Sequence, residues 1–118
     1  MMELMFYGEA ALNKDIGTWN VASVVSMNSL FNYNDAFNSD ISGWNVVGVT
    51  SMTNMFSYNE AFNADISGWN VAEVTNMAYM FHNSPFNQDI NGWNVMKVTE
   101  YTSYAGVLLQ EVNKPAFS

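Results

Sequence analysis

The chain has 118 residues, 49% hydrophobic and 12% charged, which is enough apolar matter for one modest core and too much for a disordered segment. Eleven acids stand against Lys14, Lys97 and Lys114, giving a net charge of −8 with no arginine. That balance excludes a nucleic-acid or anionic-membrane partner held by released counterions, and the lack of cysteine excludes disulfides, thiolate metal sites and cysteine nucleophiles.

The opening Met1-Met2-Glu3-Leu4-Met5 has neither the basic flank nor the apolar run of a signal peptide, and no later run is long and apolar enough to span a membrane. Met2, Met5, Phe6 and Leu12 already occupy columns that recur further on, so the chain reads as opening part-way through a repeat. The repeat declares itself at Trp19, Trp44, Trp69 and Trp93, spaced by 25, 25 and 24 residues and each followed by Asn-Val. Such a period means a stacked array in which each unit buries its apolar side on its neighbours.

Within each unit the spacing Ile-x-x-Trp-x-Val predicts a short parallel strand at Trp-Asn-Val. A run at offsets of three and four follows: Val24, Met27, Leu30, Phe31; Val49, Met52, Met55, Phe56; Val74, Met77, Met80, Phe81. That spacing predicts a short helix over Val-Thr-x-Met-x-x-Met-Phe, with Thr50, Thr75 and Thr99 as its caps. A loop then closes on Leu12, Phe37, Phe62 or Phe86. The expected fold class is therefore α/β, a right-handed leucine-rich-repeat-like solenoid of about four coils over residues 1–105. A purely β solenoid is the competing architecture. Residues 106–118 break the pattern and read as a C-terminal cap or tail.

The apolar columns are expected to be core, with the methionines as gap fillers. Asn20, Asn45, Asn70 and Asn94 are expected to point outward and form a hydrogen-bonded ladder. Asp15, Asp40, Asp65 and Asp89 form a column of carboxylates in which neighbours about 4.8 Å apart repel by about 1 kcal/mol even in water. Either each carboxylate accepts N–H groups of its own turn, or calcium bridges the coils with Asn13, Asn38, Asn63 and Asn87. No EF-hand spacing supports the metal, so turn capping is preferred and no cofactor is expected. His82 has no nucleophile elbow or activated serine beside it in the sequence and is expected to be an exposed loop residue. With no phosphate loop, dinucleotide fingerprint or zinc helix either, the chain is not expected to be an enzyme. The best contact candidates are Tyr33, Asp35, Tyr58 and Glu60, aromatic and acidic residues on loops of a rigid scaffold.

The two most regular units, Phe37-Asn38-Ser39-Asp40 through Phe56 and Phe62-Asn63-Ala64-Asp65 through Phe81, resemble the repeat of the BspA-like leucine-rich-repeat family of bacterial and protist surface proteins. The resemblance covers about residues 2 to 104. It implies a cell-surface or secreted parent and a role in adhesion. The expected function is a non-catalytic interaction module that presents loops and a shallow strand face to a protein or glycan. The alternative is a structural spacer, or a repeat unit that self-assembles through open coil ends as a homo-oligomer.

Overall fold

The computed structural model describes residues 3, 5–8, 13–106, 109 and 113–117. Met2 and Leu12, and tail residues Val107, Leu108, Gln110, Glu111 and Val112, lie outside the described residues. The chain forms four tiers, residues 13–37, 38–62, 63–86 and 87–106, with residues 5–8 resting on the first. The body measures 36 × 31 × 20 Å.

Neither of the expected elements forms. Among the described residues there is no α-helix and no strand, only single parallel bridges joining Ser26 to Ser51, Ser51 to Asn76, and Asn76 to Glu100. The α/β leucine-rich-repeat solenoid expected from the sequence is thereby overturned. At the strand position the reason is local. The Trp44 N–H bonds to Ile41 O and the Val49 N–H to Val46 O, so Ile-x-x-Trp is the i-to-i+3 spacing of a β-turn. The other repeats do the same, Trp19 to Ile16, Trp69 to Ile66 and Trp93 to Ile90.

At the helix position the amides split into two sets. Leu30, Asn32 and Asn34 donate three residues back, to Met27, Ser29 and Phe31, while Met27, Ser29, Phe31 and Tyr33 donate to Ser51, Thr53, Met55 and Ser57 of the next tier. The third tier receives the same set from the second, Met52 to Asn76, Asn54 to Ala78, Phe56 to Met80 and Tyr58 to His82. The fourth receives Met77 to Glu100, Tyr79 to Thr102 and Phe81 to Tyr104. Alternate peptide units thus stand along the stacking direction, and an α-helix is impossible because half of its donors are spent between tiers. Peptide planes flip at Ser29 and Tyr33, at Asn54 and Tyr58, and at Tyr79 and Asn83, all with positive φ; Gly8 and Ser103 extend the two columns. The threonines expected to cap helices instead bind the tier before them. Thr50 N–H and hydroxyl both point to Val25 O, Thr75 to Thr50 O, and Thr99 to Thr75 O.

Inside, the apolar columns are buried as the sequence suggests. Phe31 stacks on Phe37 at 4.0 Å, Phe56 on Phe62 at 3.9 Å and Phe81 on Phe86 at 4.1 Å, and both phenylalanine files continue from tier to tier. Each buried ring contributes on the order of 2 kcal/mol. Tryptophan adds a polar tie: the Nε1–H of Trp44, Trp69 and Trp93 donates to Ile16, Ile41 and Ile66 O at 3.0, 3.1 and 3.2 Å. Those three are 3–5% exposed, whereas Trp19 is 43% exposed.

The side-chain amides also depart from expectation. Asn20, Asn45, Asn70 and Asn94 make no ladder; each caps the N–H two residues on, at 3.1 Å, which is the ordinary Asx turn. The ladder runs elsewhere. Asn13, Asn38 and Asn63 accept the backbone N–H of Asn38, Asn63 and Asn87, and Asn87 Oδ1 accepts from Asn113 Nδ2. In the tail, Leu109 is buried, Phe117 stacks on Tyr101 at 4.2 Å, and Asn113 O accepts the Ile90 N–H.

The aspartate column follows the same turn logic. Asp15, Asp40, Asp65 and Asp89 accept the N–H of Gly17, Ser42, Ser67 and Asn91. The Ser42 hydroxyl and N–H hold the Asp40 carboxyl below its ordinary 3.8, and Ser67 does so for Asp65. Repulsion from Asp40 raises Asp65 by less than these bonds lower it. Thr102 lowers Glu100 in the same way.

Two predictions follow from this packing. Trp69→Phe keeps a ring but deletes the indole donor, and should cost about 2 kcal/mol in urea unfolding; Trp19→Phe should cost less than about 0.5 kcal/mol. For the carboxylates, a folded pKa below the unfolded one gives stability that is full above the unfolded value and lost as pH falls through the folded one. The thermal midpoint should therefore fall below about pH 4. Asp40→Asn with Asp65→Asn, which keeps the turn caps, should show a shallower acid limb.

Candidate functional site

The contact candidates sit on the edge where each tier turns from its axial peptides into its closing loop. Tyr33 and Tyr58 occupy the second left-handed position of their tiers, and that flip turns each side chain outward while its neighbour turns in. Asn34 and Asn59, which follow them, are fully buried, and their Oδ1 atoms accept the N–H groups of Ala36 and Phe37 and of Ala61 and Phe62. The loop is thus pinned at its base and its tyrosines stand on a fixed support.

The structure brings the two tyrosines together. Their rings lie 4.7 Å apart and 2° from parallel, with exposures of 45% and 39%. Asp35 and Glu60 are exposed beside them in the sequence, one per tier. Tyr7 extends this pair edge-on from Tyr33 at 5.7 Å, His82 edge-on from Tyr58 at 5.5 Å, and Tyr79 reaches His82 at 5.4 Å. The result is a file of five aromatic rings crossing the tiers at one edge. Sequence reasoning missed Tyr7 and Tyr79 and took His82 for an exposed loop residue, whereas it is half-buried, with its ring against Tyr58 and Tyr79. In the alignment of units His82 falls one position before the Tyr33 and Tyr58 column, so the sequence alone does not place its ring in line with theirs.

The face of Asp15, Asp40 and Asp65 is different. Shallow grooves lie between these residues, lined by Ser39, Ser42 and Asn38. The Asn38 and Asn63 side chains that would complete a calcium shell accept backbone N–H groups. Among the described residues no three His, Asp or Glu side chains converge on a point. Glu73 and Lys97, at 2.8 Å, form an exposed ion pair between tiers, of the kind that contributes little. Among the described residues the most exposed large apolar side chain is Met96, with Val47 two tiers before it in the same column.

No curated protein and no solved structure matches the chain. One family does, described as Mycoplasma protein of unknown function, DUF285, and it matches residues 1–113. With nearly the whole chain covered, and the tiers themselves the repeated unit, the protein belongs to the DUF285 family.

Proposed function

We propose that the protein is a non-catalytic interaction module of a BspA-like cell-surface or secreted protein, and that its aromatic edge binds a protein partner in adhesion. The observation that carries this reading is the file of exposed Tyr7, Tyr33, Tyr58 and Tyr79, joined through half-buried His82, on a pinned support. Tyrosine supplies large contact area at little entropic cost, and surfaces rich in it are where binding energy concentrates. The carboxylates of Asp35 and Glu60 beside the file suit a partner with basic side chains. A protein is favoured over a glycan because Tyr33 and Tyr58 cover each other's faces, leaving edges and hydroxyls outward rather than the open ring face on which a sugar stacks. Membership of a repeat family supports the BspA-like assignment.

The variant pair Tyr33→Asn and Tyr58→Asn tests this reading, because Asn83 already occupies the equivalent left-handed position and the backbone should tolerate the change. Binding would be measured by interferometry on immobilised fibronectin, laminin and collagen, before and after enzymatic deglycosylation. The expected result is binding to at least one surface that survives deglycosylation and weakens about tenfold in the variant. Loss on deglycosylation would assign a glycan partner. No binding at all, with molar mass rising with concentration, would favour the self-assembling spacer.

A further inference from the structure

Asn91-Gly92 is the one asparagine–glycine pair in the chain, and it stands where the second and third tiers carry Ser42-Gly43 and Ser67-Gly68. Each of those serines gives its N–H and its hydroxyl to the aspartate two residues before it, Asp40 or Asp65. Asn91 keeps the backbone half of this arrangement, donating its N–H to Asp89 at 3.0 Å. Its side chain is used elsewhere. Nδ2 donates to Lys114 O at 3.2 Å, next to the bond from the Ile90 N–H to Asn113 O at 3.0 Å. The amide of Asn91 thus helps to tie residues 113 and 114 to the fourth tier.

The pair is also open to chemistry between its own two residues. Both are exposed, and the Gly92 N–H makes no hydrogen bond among the described residues. Glycine has no Cβ to shield that nitrogen, and a Cβ built there would meet nothing within 4 Å, so nothing from the rest of the fold shields it either. The Trp93 N–H closes the turn on Ile90 O at 3.1 Å, and neither Asn91 nor Gly92 has positive φ. The turn is therefore type I, with Asn91 in the right-handed helical well. Closing a ring on the side-chain carbonyl requires Asn91 to rotate out of that well, which breaks the turn bond.

We propose that Asn91 is a site of spontaneous deamidation, which unties residues 113 and 114 from the fourth tier. The Gly92 nitrogen attacks Asn91 Cγ, and the new N–C bond closes a five-membered imide as the Cγ–Nδ2 bond breaks. Nδ2 leaves as ammonia, taking up the proton that the Gly92 nitrogen loses. Water then opens the imide at either carbonyl, giving aspartate or isoaspartate at position 91 with no change of oxidation state. Either product puts a carboxylate where Lys114 O now accepts a donor, and sets a second negative charge beside Asp89. Isoaspartate also lengthens the backbone of the turn by a methylene.

The whole chain is incubated at neutral pH and body temperature, and each asparagine is followed by peptide mass mapping with isoaspartyl methyltransferase labelling. Asn91 should convert about tenfold or more faster than Asn45, which is also exposed but precedes Val46, whose branched side chain shields and stiffens the backbone. Gly92→Ala, whose Cβ the structure has room for, should fold unchanged and convert about tenfold or more slowly. In the converted protein, amide exchange at Ile90, read by NMR, should speed up about tenfold, while Trp69 in the equivalent turn of the third tier keeps its rate. Asn91→Ser, which restores the residue of the lower tiers, should loosen Ile90 without any conversion. The proposal is overturned if Asn91 converts no faster than Asn45, if Gly92→Ala converts as fast as the unaltered chain, or if Ile90 keeps its protection after conversion. None of these readouts involves the tyrosine edge, so this inference and the proposed adhesive function fail independently.

Discussion

The structure depends on one interaction, the hydrogen bond from an axial peptide unit to the same unit one repeat later. It fixes the tier spacing, and with it the phenylalanine files, the tryptophan ties and the asparagine ladder, because every column must share that spacing. The bonds also run in one direction. From Met27 through Met52 to Met77, each amide donates forward and the carbonyl of the same peptide unit accepts from behind. Such chains polarise one another, so each added tier strengthens those already stacked.

This arrangement requires backbone conformations that ordinary side chains avoid. Among the described residues, seven other than glycine have positive φ, each at a cost on the order of 1 kcal/mol. The cost is offset because each flip aligns the peptide units on either side of it with the stack. Only a minority of the seven are asparagine, the residue best suited to the position; Tyr33, Tyr58 and Tyr79 are held there by the columns they serve. The flips also decide which residues face outward. The candidate binding edge and the backbone strain therefore have the same origin.

The repeat, its 24–25-residue period and the identity of the core columns were legible in the sequence, because stacking places like on like and leaves the same letter in each unit. The secondary structure was not. Two consecutive four-residue turns, Met27 to Leu30 and Phe31 to Asn34, turn inward at positions i, i+3, i+4 and i+7, which is also the signature of a helix face. Periodicity cannot separate the two; the serine, asparagine and tyrosine at the flip positions were the better clue. Ile-x-x-Trp-x-Val likewise fits a strand or a turn, and the asparagine after tryptophan, an Asx cap, favoured the turn. The contact candidates Tyr33 and Tyr58 were visible as loop aromatics, but their continuation through His82 to Tyr79 needed the stagger between tiers that only coordinates give.

The third tier shows how strictly the frame is kept when the sequence departs from it. Its closing loop is one residue short: Asn59-Glu60-Ala61-Phe62 in the second tier corresponds to Ser84-Pro85-Phe86. Buried Asn59 satisfies two amides, those of Ala61 and Phe62. The shorter loop has only Phe86 to satisfy, because Pro85 carries no N–H, and the smaller acceptor Ser84 Oγ meets that amide at 3.3 Å. Donor and acceptor are thus removed together, and no buried amide is left without a partner in the exchange. Phe81 and Phe86 still stack as their counterparts do, and Asn87 still reaches Asn63. What changes is the surface: histidine and asparagine stand at positions 82 and 83 where the second tier has Ser57 and Tyr58. The deletion is absorbed in polar bookkeeping below the loop and expressed only at the edge, where His82 turns the aromatic file toward Tyr79.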